Sequence, residues 1–157
     1  HADIESPLGI LRLIADAESL CAVLWPGDDR HLAVKFPSKP GQSEVIQRAA
    51  MELQEYFKGK RTTFTIPLEM KGTDFQIQVW KQLLDIPYGE TRSYGTLAKA
   101  LCKPGASRAV GLANRMNPLS IFVPCHRVIG SDGSLTGFAG GLQCKSFLLR
   151  HEKTAHV

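Results

Sequence analysis

The chain has 157 residues, 43% of them hydrophobic and 22% charged, with a formal net charge of +4. This excludes an extended disordered chain, a collagen-like repeat and a coiled coil, and the length suits one domain or two small ones sharing an interface. No apolar run approaches the roughly 20 residues of a bilayer-crossing helix, since Ile121-Phe122-Val123 stops at Pro124. No signal-peptide core opens the chain, which starts on His1 rather than Met, the mark expected of a tag scar or a trimmed end. A soluble globular protein is expected.

In chain order, Ser6-Pro7-Leu8-Gly9 reads as a turn and Ile10–Ala15 as a short strand. Leu20–Trp25 reads as a second strand, closed by Pro26-Gly27. Ser43 is an N-cap for an amphipathic helix in which Val45, Ile46, Ala49, Ala50, Leu53, Tyr56 and Phe57 recur at helical spacing until Gly59. Thr62–Ile66 is β-rich and ends before Pro67. The first half, residues 1–72, is therefore expected to be a small α/β domain. Residues 73–157 change character and form a second, mainly helical domain. Thr73 caps a helix carrying Phe75, Val79, Trp80, Leu83 and Leu84, and Ser93 caps another from Tyr94 to Leu101. After the turn Lys103-Pro104-Gly105, a third runs from Ala106 to about Met116 with Ala109, Val110, Leu112 and Ala113. Two short helices about a Gly-containing turn match a helix-turn-helix, and also any αα-hairpin.

Charge sharpens the choice. Residues 1–75 hold nine Lys/Arg against eleven Asp/Glu, whereas residues 76–157 hold ten against four. Between Glu90 and Asp132 no acid occurs, while Arg92, Lys99, Lys103, Arg108, Arg115 and Arg127 do. A solvated basic face would look the same, but coincidence with the helical pair points to a polyanion partner. The start of the second helix offers small residues (Ala106, Ser107, Ala109, Val110), no Asn or Gln, and Arg108 as its one base reader. That suits close approach to the sequence-degenerate minor groove.

The four cysteines (Cys21, Cys102, Cys125, Cys144) are scattered without a C-x-x-C pair, which favours a reducing cytoplasm over a disulfide framework. Cys125 stands apart. An apolar run expected to be a strand, Ile121–Val123, delivers Pro124-Cys125-His126-Arg127-Val128. A thiolate is a strong nucleophile, and nearby imidazole and positive charge favour it. On an extended segment, neighbours point to opposite sides, so the proton of Cys125 is expected to reach His126 through a water. Cys21, Cys102 and Cys144 read as buried structural thiols.

Pro124–Val128 resembles the active-site signature of the O6-alkylguanine-DNA alkyltransferases. Phe75–Trp80, Pro87–Thr91, Ser93-Tyr94, Ser107–Gly111, Asn117-Pro118, Gly140-Gly141 and Leu148–Glu152 follow in that family's order and spacing, so the resemblance spans nearly all of residues 73–152. Ser6–Gly9 and Glu55–Gly59 extend it more loosely into the first half. It implies an RNase H-like N-terminal sheet domain and a helix-turn-helix C-terminal domain. It also implies one-step, stoichiometric transfer of an alkyl group from O6-alkylguanine, and from O4-alkylthymine, in a flipped-out nucleotide of double-stranded DNA to Cys125.

By the same resemblance His126 is the base through a water, Glu152 orients it, and Asn117 holds that water or the turn carrying the nucleophile. Tyr94 bonds guanine N3 and donates to the leaving base. The carbonyls of Cys125 and Val128 read the exocyclic amine, Phe138 walls the pocket, and the Ala139 amide contacts O6. Arg108 fills the gap in the stack, and Ser107, Arg115 and Ser131 contact phosphates. Phe138 stands where many members have Tyr, and Ala139 where some have Ser. Cys21 and His31 do not match the zinc ligands of some relatives, so no metal and no cofactor are expected, nor a membrane or obligate protein partner, and the protein should be a monomer. A binding-only alkyltransferase-like protein would lack the nucleophile. A cysteine hydrolase would leave the helix-turn-helix without a role.

Overall fold

The computed structural model describes residues 1–27, 40, 41 and 43–154. His31 lies outside the described residues. The chain divides into two compact units, His1–Lys71 and Gly72–Val157.

The first unit is a three-stranded antiparallel meander, β1 (Ala2–Ser6), β2 (Gly9–Ala15) and β3 (Leu20–Leu24), covered by α1 (Glu44–Phe57). The β1–β2 turn closes as the sequence suggests, with the Ser6 hydroxyl accepting from Leu8 N and donating to Gly9 O, and with Gly9 at φ +103°. The strand β1 has no apolar signature of its own, because Asp3 and Glu5 alternate with Ala2 and Ile4, and it forms by pairing to β2. All five residues of β3 are buried, as a continuous apolar run requires. Ser43 Oγ accepts from Ile46 N and caps α1, a contribution of about 1 kcal/mol. The face of α1 formed by Val45, Ile46, Ala49, Leu53 and Tyr56 is buried, whereas Ala50 and Phe57 are half-exposed.

Thr62–Ile66 is not a strand. The carboxylate of Glu52, 2% exposed on α1, takes the Thr65 and Ile66 amides at 3.0 and 3.2 Å and the Thr65 hydroxyl at 2.6 Å. A side chain thus supplies the acceptors that a neighbouring strand would have supplied.

The second unit contains α2 (Asp74–Leu84), β4 (Arg92–Ser93), α3 (Tyr94–Ala100), α4 (Ser107–Arg115), a 3₁₀ turn at Cys125–Arg127, β5 (Val128–Ile129) and α5 (Leu142–Thr154). Thr73 and Gln76 form a reciprocal capping box on α2. Val79, Trp80 and Leu83 face inward, and the Trp80 indole donates to Ala113 O at 2.8 Å, fixing α2 to α4. Leu84 is instead 46% exposed. Ser93 caps α3 through Thr96 N, and α3 packs on α4 as a helix-turn-helix. On α4, Val110, Ala113 and Asn114 are buried and Leu112 is 63% exposed, so Leu112 is surface rather than core and Val110 is core rather than surface.

The segment before the nucleophile corrects the expected strand. Ile121 lies in the left-handed region at φ +76°, unusual for a β-branched residue, and Val123 N donates to Leu119 O. Asn117 holds this turn, donating from Nδ2 to Val123 O and accepting at Oδ1 from Leu119 N, both at 2.9 Å. Pro124 (φ −80°, ψ 65°) bends the chain through an inverse γ-turn into the 3₁₀ turn. Cys125 and His126 therefore sit on one tight turn, not on an extended segment. The chain leaves through β5, which pairs in parallel with β4, placing the nucleophile turn next to the start of α3.

Candidate active site

Cys125 is 3% exposed and His126 is fully buried. Three groups fasten their turn. Asn114 Nδ2 donates to Cys125 O at 3.2 Å, Arg127 Nη1 donates to Ile86 O at 2.7 Å, and Glu152 bonds both His126 and Arg127. The His126 Nε2 to Glu152 Oε2 distance is 2.6 Å, and Arg127 approaches the same carboxylate through Nε (2.8 Å) and Nη2 (3.1 Å). Glu152 Oε1 also accepts from Gly89 N at 3.2 Å.

Since an ionised carboxylate only accepts, His126 Nε2 carries the hydrogen and Nδ1 of the neutral ring is a bare lone pair. Burial pushes the His126 pKa down, against the pull of Glu152, so the ring is neutral and basic at Nδ1. Burial works to raise the Glu152 pKa, but the bonds from His126 and Arg127 outweigh it and hold the carboxyl below its usual range. The structure thus brings His126 and Glu152 together, and Asn117 bonds the turn that precedes the nucleophile.

Arg127 does not belong to the exposed basic stretch. It is 6% exposed and neutralises Glu152. Lys145, on α5, is wholly buried, and its Nζ donates to the carbonyls of Val128 and of Thr136 (2.7 Å). Burial lowers its pKa to about 8, while the nearby Cys125 sulfur favours the charged amine. The carbonyl of Val128, expected to read a base, is thus already bonded to Lys145, leaving its second lone pair for a ligand. Sequence reasoning missed Asn114, Arg127 and Lys145 as site residues. For Asn114 a signal existed, since it interrupts an otherwise apolar inward face with Val110 and Ala113.

A second group of expected residues lines one open groove of about 650 Å³, where Tyr94, Ser107, Arg108, Arg115 and Ser131 meet. Cys125 is not on its wall. Tyr94 Oη donates to Thr136 O at 3.0 Å, the same carbonyl that Lys145 bonds, so Lys145 and Thr136 connect the groove to the nucleophile turn. Arg108 and Arg115 are exposed. Phe138 is buried and Ala139 half-buried on the loop before α5. In the first unit, Asp16, Cys21 and Glu69 offer ligand atoms within 4.8 Å of one another. Burial raises the Cys21 pKa, and the two carboxylates add to this. Two carboxylates and a protonated thiol differ from the four N/S ligands of a structural zinc site.

A helix-turn-helix places the second unit in the class of nucleic-acid-binding folds, and its buried turn carries Cys125 next in sequence to a histidine bonded to Glu152. Residues 74–154 match the DNA binding domain of 6-O-methylguanine DNA methyltransferase, and residues 1–70 match its ribonuclease-like domain. The methylated-DNA–protein-cysteine methyltransferase of Mycobacterium bovis is 58% identical over 155 residues, covering 98% of this chain and 92% of its own. That of Methanosarcina acetivorans is 47% identical over 152 residues, covering 97% of each. The crystal structure of Mycobacterium tuberculosis OGT in complex with DNA superposes with a TM-score of 0.88 at 46% identity, covering 98% of this chain and 92% of that one. The chain belongs to the 6-O-methylguanine DNA methyltransferase family.

Proposed function

We propose that this protein repairs alkylated double-stranded DNA by moving the alkyl group from O6 of guanine to Cys125 Sγ. The observation that carries this reading is the buried turn on which Cys125 precedes a histidine whose Nε2 is bonded to Glu152 and whose Nδ1 has no hydrogen-bond partner among the described residues. Through one water, the thiol proton passes to Nδ1 and the thiolate attacks the alkyl carbon. The S–C bond forms as the C–O6 bond breaks, and the electron pair stays on the guanine, which takes up a proton. Tyr94 supplies that proton at N3 after giving up its bond to Thr136 O. Charge on Lys145 favours the thiolate.

DNA is held over α3 and α4, with Ser107, Arg115 and Ser131 on phosphates and Arg108 in the gap left by the flipped nucleotide. The flipped base lies between Tyr94 and Phe138, its amine on the carbonyls of Cys125 and Val128 and its O6 at the Ala139 amide. O4-alkylthymine presents the same alkylated oxygen and is a second substrate. A thioether has no good leaving group, so each molecule acts once, as a monomer and without a cofactor. Residues 73–157 contain this chemistry, and residues 1–72 form the separate sheet domain.

Incubation with a duplex holding one O6-methylguanine, followed by intact-mass measurement, should add one methyl group per molecule, located on Cys125 by peptide mapping. Cys125→Ser should bind the duplex and gain nothing. Methyl transfer to the Ser variant or to another cysteine would overturn the assignment, and an unmodified wild-type protein that binds the lesion tightly would favour a binding-only role.

A further inference from the structure

The turn that carries Cys125 leaves two buried polar atoms without a hydrogen-bond partner among the described residues, His126 Nδ1 and Asn114 Oδ1. Asn114 is on the last turn of α4 and 1% exposed. Its Nδ2 donates to Cys125 O at 3.2 Å, and this settles the orientation of the amide, because the reverse would set two carbonyl oxygens against each other. The remaining atom, Oδ1, is therefore an acceptor. Nδ1 of the neutral His126 ring is also an acceptor, because Nε2 holds the hydrogen against Glu152. An unanswered buried polar atom costs about 1–3 kcal/mol, and here one belongs to the chain neighbour of Cys125 and the other to the side chain bonded to its carbonyl, so one partner shared by both is the economical answer. That partner must offer two hydrogens and still accept one from the Cys125 thiol. A single water has this valence.

We propose that Asn114 orients the relay water between Cys125 and His126, with Oδ1 taking the hydrogen that the water does not give to Nδ1. This rests on the Cys125–His126 relay proposed above. With both hydrogens directed, a lone pair of the water faces the thiol. The S–H proton moves to the water oxygen as the water's own hydrogen moves to Nδ1, so the water is unchanged and the products are thiolate and imidazolium. Asn117 is less suited to this duty, as both ends of its amide bond the backbone of the preceding turn. Asn114 is a positioning residue. It also joins the Cys125 carbonyl to the helix that carries Arg108 and Arg115. The charged groups facing His126 are Glu152, Arg127 and Lys145, and the hydrogen bond of the Asn114 side chain goes to Cys125 O, not to any of them.

The test is a double-mutant cycle read on alkylation of Cys125 by free O6-benzylguanine, which needs no DNA, across the neutral and alkaline range. Asn114→Ala should slow the reaction about 10- to 100-fold at neutral pH, a share of the roughly 10²–10⁴-fold typical of acid–base catalysis. The rate should recover at high pH, where bulk hydroxide ionises the thiol. In a His126→Ala background the same change should cost less than about twofold, because the relay is already gone. An equal loss in both backgrounds at every pH would mean that Asn114 only supports the turn, and would overturn the proposal. So would an unchanged Asn114→Ala beside an Asn117→Ala that shows the full pattern. If His126→Ala alone left rate and pH profile unchanged, the relay itself would fall, a result distinct from the others. Should Asn114→Ala melt below the assay temperature, the same cycle is read at a lower temperature at which every variant is folded.

Discussion

Glu152 shows how much of the site hangs on one buried residue. It answers His126, both nitrogens of Arg127 and the Gly89 amide at 1% exposure. Glu152→Gln leaves the guanidinium of Arg127 buried without its counter-charge, which should cost about 3–5 kcal/mol in urea unfolding at neutral pH. A variant as stable as wild type would show that the pair adds nothing. The pH dependence separates the partners. His126 is a base whose folded pKa is lowered, so the unfolded chain binds more protons and stability falls as the pH drops below the ordinary value of 6.5. Glu152 is an acid whose folded pKa is lowered, so its contribution is intact above the ordinary 4.5 and is lost as the pH falls further, toward the folded value. Wild type should lose stability in both windows, and Glu152→Gln should lose less in the lower one, where Glu52, also held below its usual range, still contributes. The sequence exposes Cys125 and His126 because they are adjacent in a distinctive pentapeptide. It conceals the burial of Arg127 and Lys145, since their partners lie 25 and 17 residues away and only the folded chain decides that a charge is neutralised rather than solvated.

At the scale of elements, the helices with clear caps were legible, whereas α5 and the irregular segments were not. Caps at Ser43, Thr73 and Ser93 are local chemistry between residues three apart and could be read directly. The β-rich runs Thr62–Ile66 and Ile121–Val123 could not, because Glu52 and Asn117 supply bonding partners that a neighbouring strand would otherwise provide. The two-residue ladder of β4 and β5 is too short to leave a pattern in sequence. The helix α4 has a sharply divided surface, with Val110, Ala113 and Asn114 inward and Arg108, Leu112 and Arg115 outward. Its N-cap, Ala106, has no side-chain acceptor, so the first-turn amides beside Ser107 and Arg108 remain available to a phosphate. Arg108→Ala should therefore slow repair of O6-methylguanine in a duplex by about tenfold or more, as extrusion of a base costs a few kcal/mol and its gap goes unfilled. Alkylation by free O6-benzylguanine should change little. Equal losses on the two substrates would place Arg108 in the chemistry or in folding, not in the DNA stack.

For the whole molecule, charge divides along the chain. Residues 1–71 hold nine Lys/Arg and ten Asp/Glu, whereas residues 72–157 hold ten and five. Two of those ten cations, Arg127 and Lys145, are buried within the second unit. The remainder include Arg108 and Arg115 on the groove and the exposed Lys99 and Lys103. If Arg108 is the base reader proposed above, α4, with its polar Asn114 turned inward, has little means of telling one base pair from another. Binding must then come mainly from neutralised phosphates. Each phosphate contact releases counterions, so log affinity should fall by about 0.9 per log unit of salt for each contact. Anisotropy titrations of several unmodified duplexes over a salt series should give similar affinities and parallel slopes. Arg115→Ala should lower all of them by a common factor and make the slope shallower by about one contact. A marked preference for one unmodified sequence that survives high salt would contradict this, because only direct contacts to base edges persist when the electrostatic part is screened.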